Sequence, residues 1–161
     1  MSRIQCAVAA LAACATIVAA SASATMAKTV TMHFFSKQVY TRVSDASGHP
    51  LPPSATPAPG DRLSFAFNDY AGNHKHHAKR ATASDHVVCT LTSASRALCD
   101  GMIALGGALI LGDDFVLDFA SNTATVVQIT GGTAGFLHAR GTVLVKPVGS
   151  STSDLTIKVS T

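Results

Sequence analysis

The chain has 161 residues, room for one domain built on one hydrophobic core. Hydrophobic residues make up 47% and charged residues 13%, which excludes an intrinsically disordered chain; the net charge of +3 is too small for a dedicated nucleic-acid binder. Glu and Trp are absent, so a mechanism built on paired carboxylates has to draw on nine aspartates.

The chain opens with Arg3 and an almost wholly apolar run over residues 4–20. Ala22-Ser23-Ala24 then fits the A-x-A cleavage pattern. This predicts a secretory signal peptide over residues 1–24 and a single domain over 25–161, secreted or periplasmic, with no membrane span after cleavage. Two other readings exist. A permanent membrane helix would need a longer apolar run and a basic flank after it. Leu11-Ala12-Ala13-Cys14 is similar to a bacterial lipobox with Cys14 as the lipidated residue, although the apolar run before it is short.

The remainder reads as strands. KTVTMHFF (28–35) predicts the first, and residues 44–61, which hold five of the six prolines, predict a loop. RLSFAFNDY alternates Leu63, Phe65 and Phe67, the pattern of a half-buried strand. HVVCTLT, ALCDGMIAL, ALILG, DFVLDFA, TATVVQIT, GTVLVKP and SDLTIKVS follow at short intervals. Strands spaced this evenly predict an all-β barrel or sandwich. Cys89 and Cys99 flank a Ser-Ala-Ser turn and fall opposite each other across a hairpin. In an exported chain that pairing predicts a disulfide; two buried thiols are the alternative.

Several polar groups invite a chemical reading. NHKHHAKR (73–80) holds three histidines and three basic side chains. On a strand His74 and His76 would share a face and His77 would point away, too few for a metal site without Asp69 or Asp85. No metal is predicted there; a solvated basic loop is expected, and a patch able to attract anionic glycans or lipids is the alternative. Asp113 and Asp114 are neighbours in GDDF, which reads as a solvated turn, and Asp85-His86 reads as a hairpin edge. No serine sits in a G-x-S-x-G elbow, and Gly131-Gly132 lacks the lysine and following helix of a phosphate loop, so no cofactor is expected.

Residues 129–141, ITGGTAGFLHARG, resemble the I-T-G-G-T-G-x-[FY]-x-x-A-R-G signature of the allene oxide cyclase and dirigent superfamily, in particular its small exported bacterial members. PAPGDRLSFAFNDYAGN is similar to that family's P-x-x-G-D, apolar strand and Y-x-G turn, and the resemblance extends over residues 57–161. It implies an eight-stranded antiparallel β-barrel with an apolar interior, usually a homotrimer, and a cyclase (isomerase) or stereochemical guide for a small apolar molecule. The alternative function is a non-catalytic secreted barrel that binds an apolar ligand or a protein or glycan partner. Phe34, Tyr40, Phe65, Phe67, Tyr70 and Phe136 are the candidate substrate-binding residues, and Arg140 is expected to anchor the glycine turn through backbone carbonyls. The chain departs from the family at Ala134, where the turn usually has Gly. It also lacks the first-strand Glu of the plant cyclases and the early His-Asp of dirigent proteins. No catalytic residue is therefore assigned from the resemblance.

Overall fold

The computed structural model describes residues 28–161, so the signal segment predicted over 1–24, Cys14 included, lies outside the described residues. Nine strands run β1 (Thr29–Ser44), β2 (Arg62–Ala71), β3 (Ala83–Leu91), β4 (Arg96–Leu105), β5 (Ala108–Asp118), β6 (Thr125–Ile129), β7 (Gly131–Gly132), β8 (Arg140–Gly149) and β9 (Thr152–Ser160). One turn of 3-10 helix, Ala134–Phe136, lies between β7 and β8. Among the described residues no helix is long and apolar enough to cross a membrane.

All neighbouring strands are antiparallel, in the order β6-β8-β9-β1-β2-β3-β4-β5-β7. The two ends of that order are joined covalently. Thr130 lies between β6 and β7, and its N–H donates to Leu111 O at 2.9 Å, which carries the chain from pairing with β8 to pairing with β5. The sheet thus nearly closes on itself, with Ile110 and Leu111 of β5 pairing across the seam with Gly132 and Gly131. Counted by chain path the barrel has the eight strands the sequence predicts; counted by hydrogen bonding, the seam strand divides and makes nine.

The connections sort to two ends. The proline-rich segment 45–61, the turn 92–95, the segment 119–124 and the turn 150–151 gather at one, and segments 72–82, 106–107 and 133–139 at the other. At the second end Phe34, Ile110, Ile129, Ala139, Ile157 and Val159 form a buried plug against which Phe136 packs. Towards the first end the inner wall carries Cys89, Leu91, Ala97 and Cys99, packed against Leu63, Phe65, Phe115 and Leu117. Cys89 and Cys99 are cross-strand partners with Cα atoms 4.0 Å apart, and they form the disulfide the hairpin predicts. Closing so short a loop contributes roughly 2–3 kcal/mol.

Two bulges depart from the sequence reading. Gln38 pairs with Phe67 but Tyr40 pairs with Ala66, so Val39 is an extra residue that reverses the inward phase of β1. ALILG and DFVLDFA form one strand, β5, and GDDF is a bulge within it, not a turn. Asp113 and Asp114 together oppose Asp100, Asp114 adopts φ 55°, and its N–H donates to Asp100 Oδ1 at 3.0 Å. Both carboxylates are exposed, and Asp113 Oδ2 accepts from Thr130 Oγ1 at 2.6 Å beside the seam.

Arg140 does what the resemblance implies. Its Nη1 donates to Thr130 O at 2.6 Å and Ala139 O at 2.7 Å, holding the glycine turn to the end of β6. Ala134, which stands where the family has Gly, adopts φ 50°, a left-handed conformation that crowds a Cβ against the following carbonyl. Replacement by glycine removes that crowding at some cost in unfolded-chain entropy. Ala134→Gly is expected to raise stability by about 0.5–1 kcal/mol in urea denaturation. A loss of stability would show that this turn is not strained at Ala134.

Candidate active site

The barrel is hollow above its plug. A cavity of about 710 Å³ opens between Thr56, Pro57, Ser121, Asn122, Ser150 and Ser151 and runs inward between β2, β3, β5 and β8. Its walls follow from strand phase. On β2 the inward positions are Leu63, Phe65, Phe67 and Asp69; on β3 they are Leu91, Cys89, Val87, Asp85 and Ala83, in the reverse direction. Short side chains facing them leave the space open: Gly101, Gly112, Val127, Val143 and Val145 all line it.

Of the six residues singled out by sequence, Phe65 and Phe67 line this cavity, their ring centroids 6.4 Å apart, and Phe119 at the mouth lies 6.5 Å from Phe65. Phe34 points inward but belongs to the plug, and Phe136 packs against the same plug. The two tyrosines are corrected. Tyr40 is turned outward by the Val39 bulge and is 47% exposed. Tyr70 follows inward Asp69 and therefore faces the outer wall, where its ring lies 5.7 Å from that of His77.

NHKHHAKR does not continue a strand; it folds back over that outer wall. His77 packs on Phe35 at 4.6 Å, Lys37 Nζ stands 5.1 Å above both the Phe35 and Tyr70 rings, and His74 is held by Asp154 through its backbone N–H (2.7 Å) and Nδ1 (2.6 Å). The segment covers Phe35 and lies at the plugged end, away from the cavity mouth. Among the described residues no three His, Cys, Asp or Glu side chains are grouped to hold a metal ion. Asp85 and His86 face opposite sides: Asp85 lines the cavity, while His86 Nε2 meets Ser64 Oγ at 2.9 Å on the outside.

The polar centre of the cavity was not singled out by sequence as a pair. Asp85 and Asp69 both point inward at its inner end, on neighbouring strands where Phe67 pairs with Asp85 and Asp69 with Ala83. Ser36, cross-strand partner of Asp69, donates its hydroxyl to Asp85 Oδ2 at 3.2 Å. Asp69 is 0% exposed, and neither of its carboxyl oxygens has a hydrogen-bond partner among the described residues. Burial away from water disfavours both charges. It pushes the Asp69 carboxyl up from 3.8 to about 6, and burial together with the charge of Asp69 pushes Asp85 up to about 8. The pair titrates as a unit and shares a proton near neutrality. It is the arrangement of a general acid and base: a proton held at the edge of an apolar cavity, with a partner carboxylate to receive it.

This pair should make stability depend on pH in an unusual direction. Both carboxyls bind protons more tightly in the folded chain than in the unfolded one. Their contribution is therefore fully present below about pH 4 and is lost as pH rises towards about 8. Urea denaturation across that range is expected to show a decline that Asp69→Asn flattens. Parallel profiles for the parent and Asp69→Asn would mean that the pair is not strained by burial.

The antiparallel barrel is similar in fold to a demethylase and to dirigent proteins of known structure. Pyocyanin demethylase is similar over 81% of this chain and 99% of its own, with TM-score 0.58 and 20% identity. The pterocarpan synthase dirigent proteins PsPTS1 and GePTS1 are each 14% identical with TM-score 0.58 over 83% of this chain, covering 94% and 83% of their own lengths. At these identities the likeness establishes the fold alone. No family model and no curated protein matches the chain.

Proposed function

We propose that the protein is an exported barrel that takes a small apolar molecule into its interior and guides its cyclisation or coupling by proton transfer at Asp85. The observation that carries this reading is the carboxyl pair at the inner end of an open apolar cavity. A passive carrier gains nothing from two ionisable groups whose burial costs stability, whereas an isomerase needs a proton source shielded from water. The apolar walls hold a flexible substrate in one folded conformer, and Phe65 and Phe67 flank it beside the acid. Asp85 delivers the shared proton to one atom of the substrate, the carboxylate then removes a proton from another and so restores the pair's single proton, and Ser36 orients the Asp85 carboxyl. The buried disulfide supports export, since such bonds persist in oxidising compartments.

A trimer fits the same reading. Val88, Leu98, Met102 and Val116 are exposed on the β3 to β5 wall, and Leu98 pairs directly with Val116, so an apolar strip is available for another copy. Native mass spectrometry of the protein exported by its own host tests these points together. The expected result is a mature chain beginning at Thr25, three copies per particle, and a small bound molecule lost on denaturation. A particle that never carries a ligand, even when supplied with host extract, would remove the basis for the catalytic reading.

A further inference from the structure

The charges that line the cavity are of one sign. Asp85 and Asp118 are the ionisable side chains in its wall, and among the described residues no lysine, arginine or histidine lines it. Asp118 stands near the mouth and is neutralised from outside by Arg96, whose Nε lies 3.1 Å from Asp118 Oδ2. The inner pair has no such partner. Asp69 is wholly buried with no cationic side chain beside it among the described residues, and the side chains facing Asp85 from neighbouring strands are Phe67, Ile103, Ser36 and Asp69 itself.

We infer that the cavity selects a lipophilic cation, an apolar amine that seats its ammonium group at Asp85 and its hydrocarbon body against Phe65 and Phe67. This rests on the reading of the cavity as the substrate site and adds the charge of what enters it. Three properties of the wall lead there. A carboxylate facing an apolar space attracts a cation strongly, because no protein counter-ion among the described residues competes for it. An anionic ligand would bring a second negative charge to the same point and leave it without a hydrogen-bond donor other than a protonated carboxyl. The phenyl rings beside Asp85 favour the same sign, since an ammonium group over an aromatic face gains from the ring quadrupole. A cationic donor at Asp85 also holds that carboxyl ionised and leaves the shared proton on Asp69.

The test uses three probes of one shape and different charge: naphthylmethylammonium, naphthylmethanol and naphthoate. The chain has no Trp, so naphthalene fluorescence is read against the emission of two tyrosines alone. At about pH 8, where the amine remains protonated, the mature protein is expected to bind the ammonium probe at least about tenfold more tightly than the alcohol and to leave naphthoate unbound. Asp85→Asn is expected to bring the ammonium probe to the affinity of the alcohol without changing the alcohol itself. Asp69→Asn, a second route should the first variant fold poorly, is expected to reduce the preference. Asp114→Asn, exposed on the bulge, leaves it intact. Equal affinities, a preference for naphthoate, or a cation preference that survives both inner substitutions overturns the inference while leaving the cavity a binding site. Failure of all three probes to bind overturns it together with the proposed function.

Discussion

Gly141→Ala is expected to destabilise the barrel by about 3–5 kcal/mol, a large share of the stability of a domain this size. Gly141 pairs with Val159 on one side and Ile129 on the other, at φ 143°, in a region side chains rarely enter. A Cβ placed there would come within 1.9 Å of Lys158 O, and that atom is backbone in the middle of a ladder, so no rotamer change relieves the contact. Either β9 moves away or β8 loses its pairing with β6. Gly131, ten residues earlier in the same signature, behaves differently. Its φ is not left-handed, and an added Cβ would find Leu137 O at 3.8 Å, ordinary contact. Gly131→Ala is therefore expected to change stability by less than about 1 kcal/mol. Urea denaturation of the two variants side by side checks this: similar losses would mean that the close approach of β8 to β9 does not set the glycine requirement at Gly141.

The contrast between those glycines marks where sequence reading succeeded and where it stopped. Period-two alternation in Leu63, Phe65 and Phe67 was enough to find β2 and its inward face, and the spacing of Cys89 and Cys99 was enough to pair them. Both signals are local, set by one strand or one hairpin. Tyr40 failed because a single extra residue, Val39, inverts the phase of everything after it, and nothing in FFSKQVYTR marks that position as a bulge. GDDF failed for a related reason: Asp residues favour turns and bulges alike. The carboxyl pair was half legible. Asp69 continues the inward series of β2, and Asp85 falls on the inward series of β3 with Val87 and Cys89, so each could be placed inside from alternation alone. Their proximity depends on how the 72–82 segment returns the chain. The loop folds back by its own contacts, His77 on Phe35 and His74 on Asp154, which fixes Phe67 opposite Asp85. Whether the barrel is hollow was the least legible property, because it depends on the summed volumes of residues such as Gly101, Gly112 and Val127 that meet only after closure.

Asp85→Asn is expected to move activity and stability in opposite directions. Asparagine keeps the size and can still accept from Ser36, but it neither holds nor transfers the proton, so conversion of the molecule recovered with the protein should fall by about 10²–10⁴-fold. Stability at about pH 8 should rise by about 1–3 kcal/mol, because the change removes a buried charge and relieves Asp69 of its like-charged neighbour. A residue that merely completes the wall would lose both together. A residue kept for chemistry stores the strain of its own burial, and releasing that strain is the mark of its role. Turnover and urea denaturation on the same preparation decide between them. If conversion persists at the parent rate in a more stable variant, Asp85 is a buried charge without a chemical task, and the proton must come from elsewhere in the cavity.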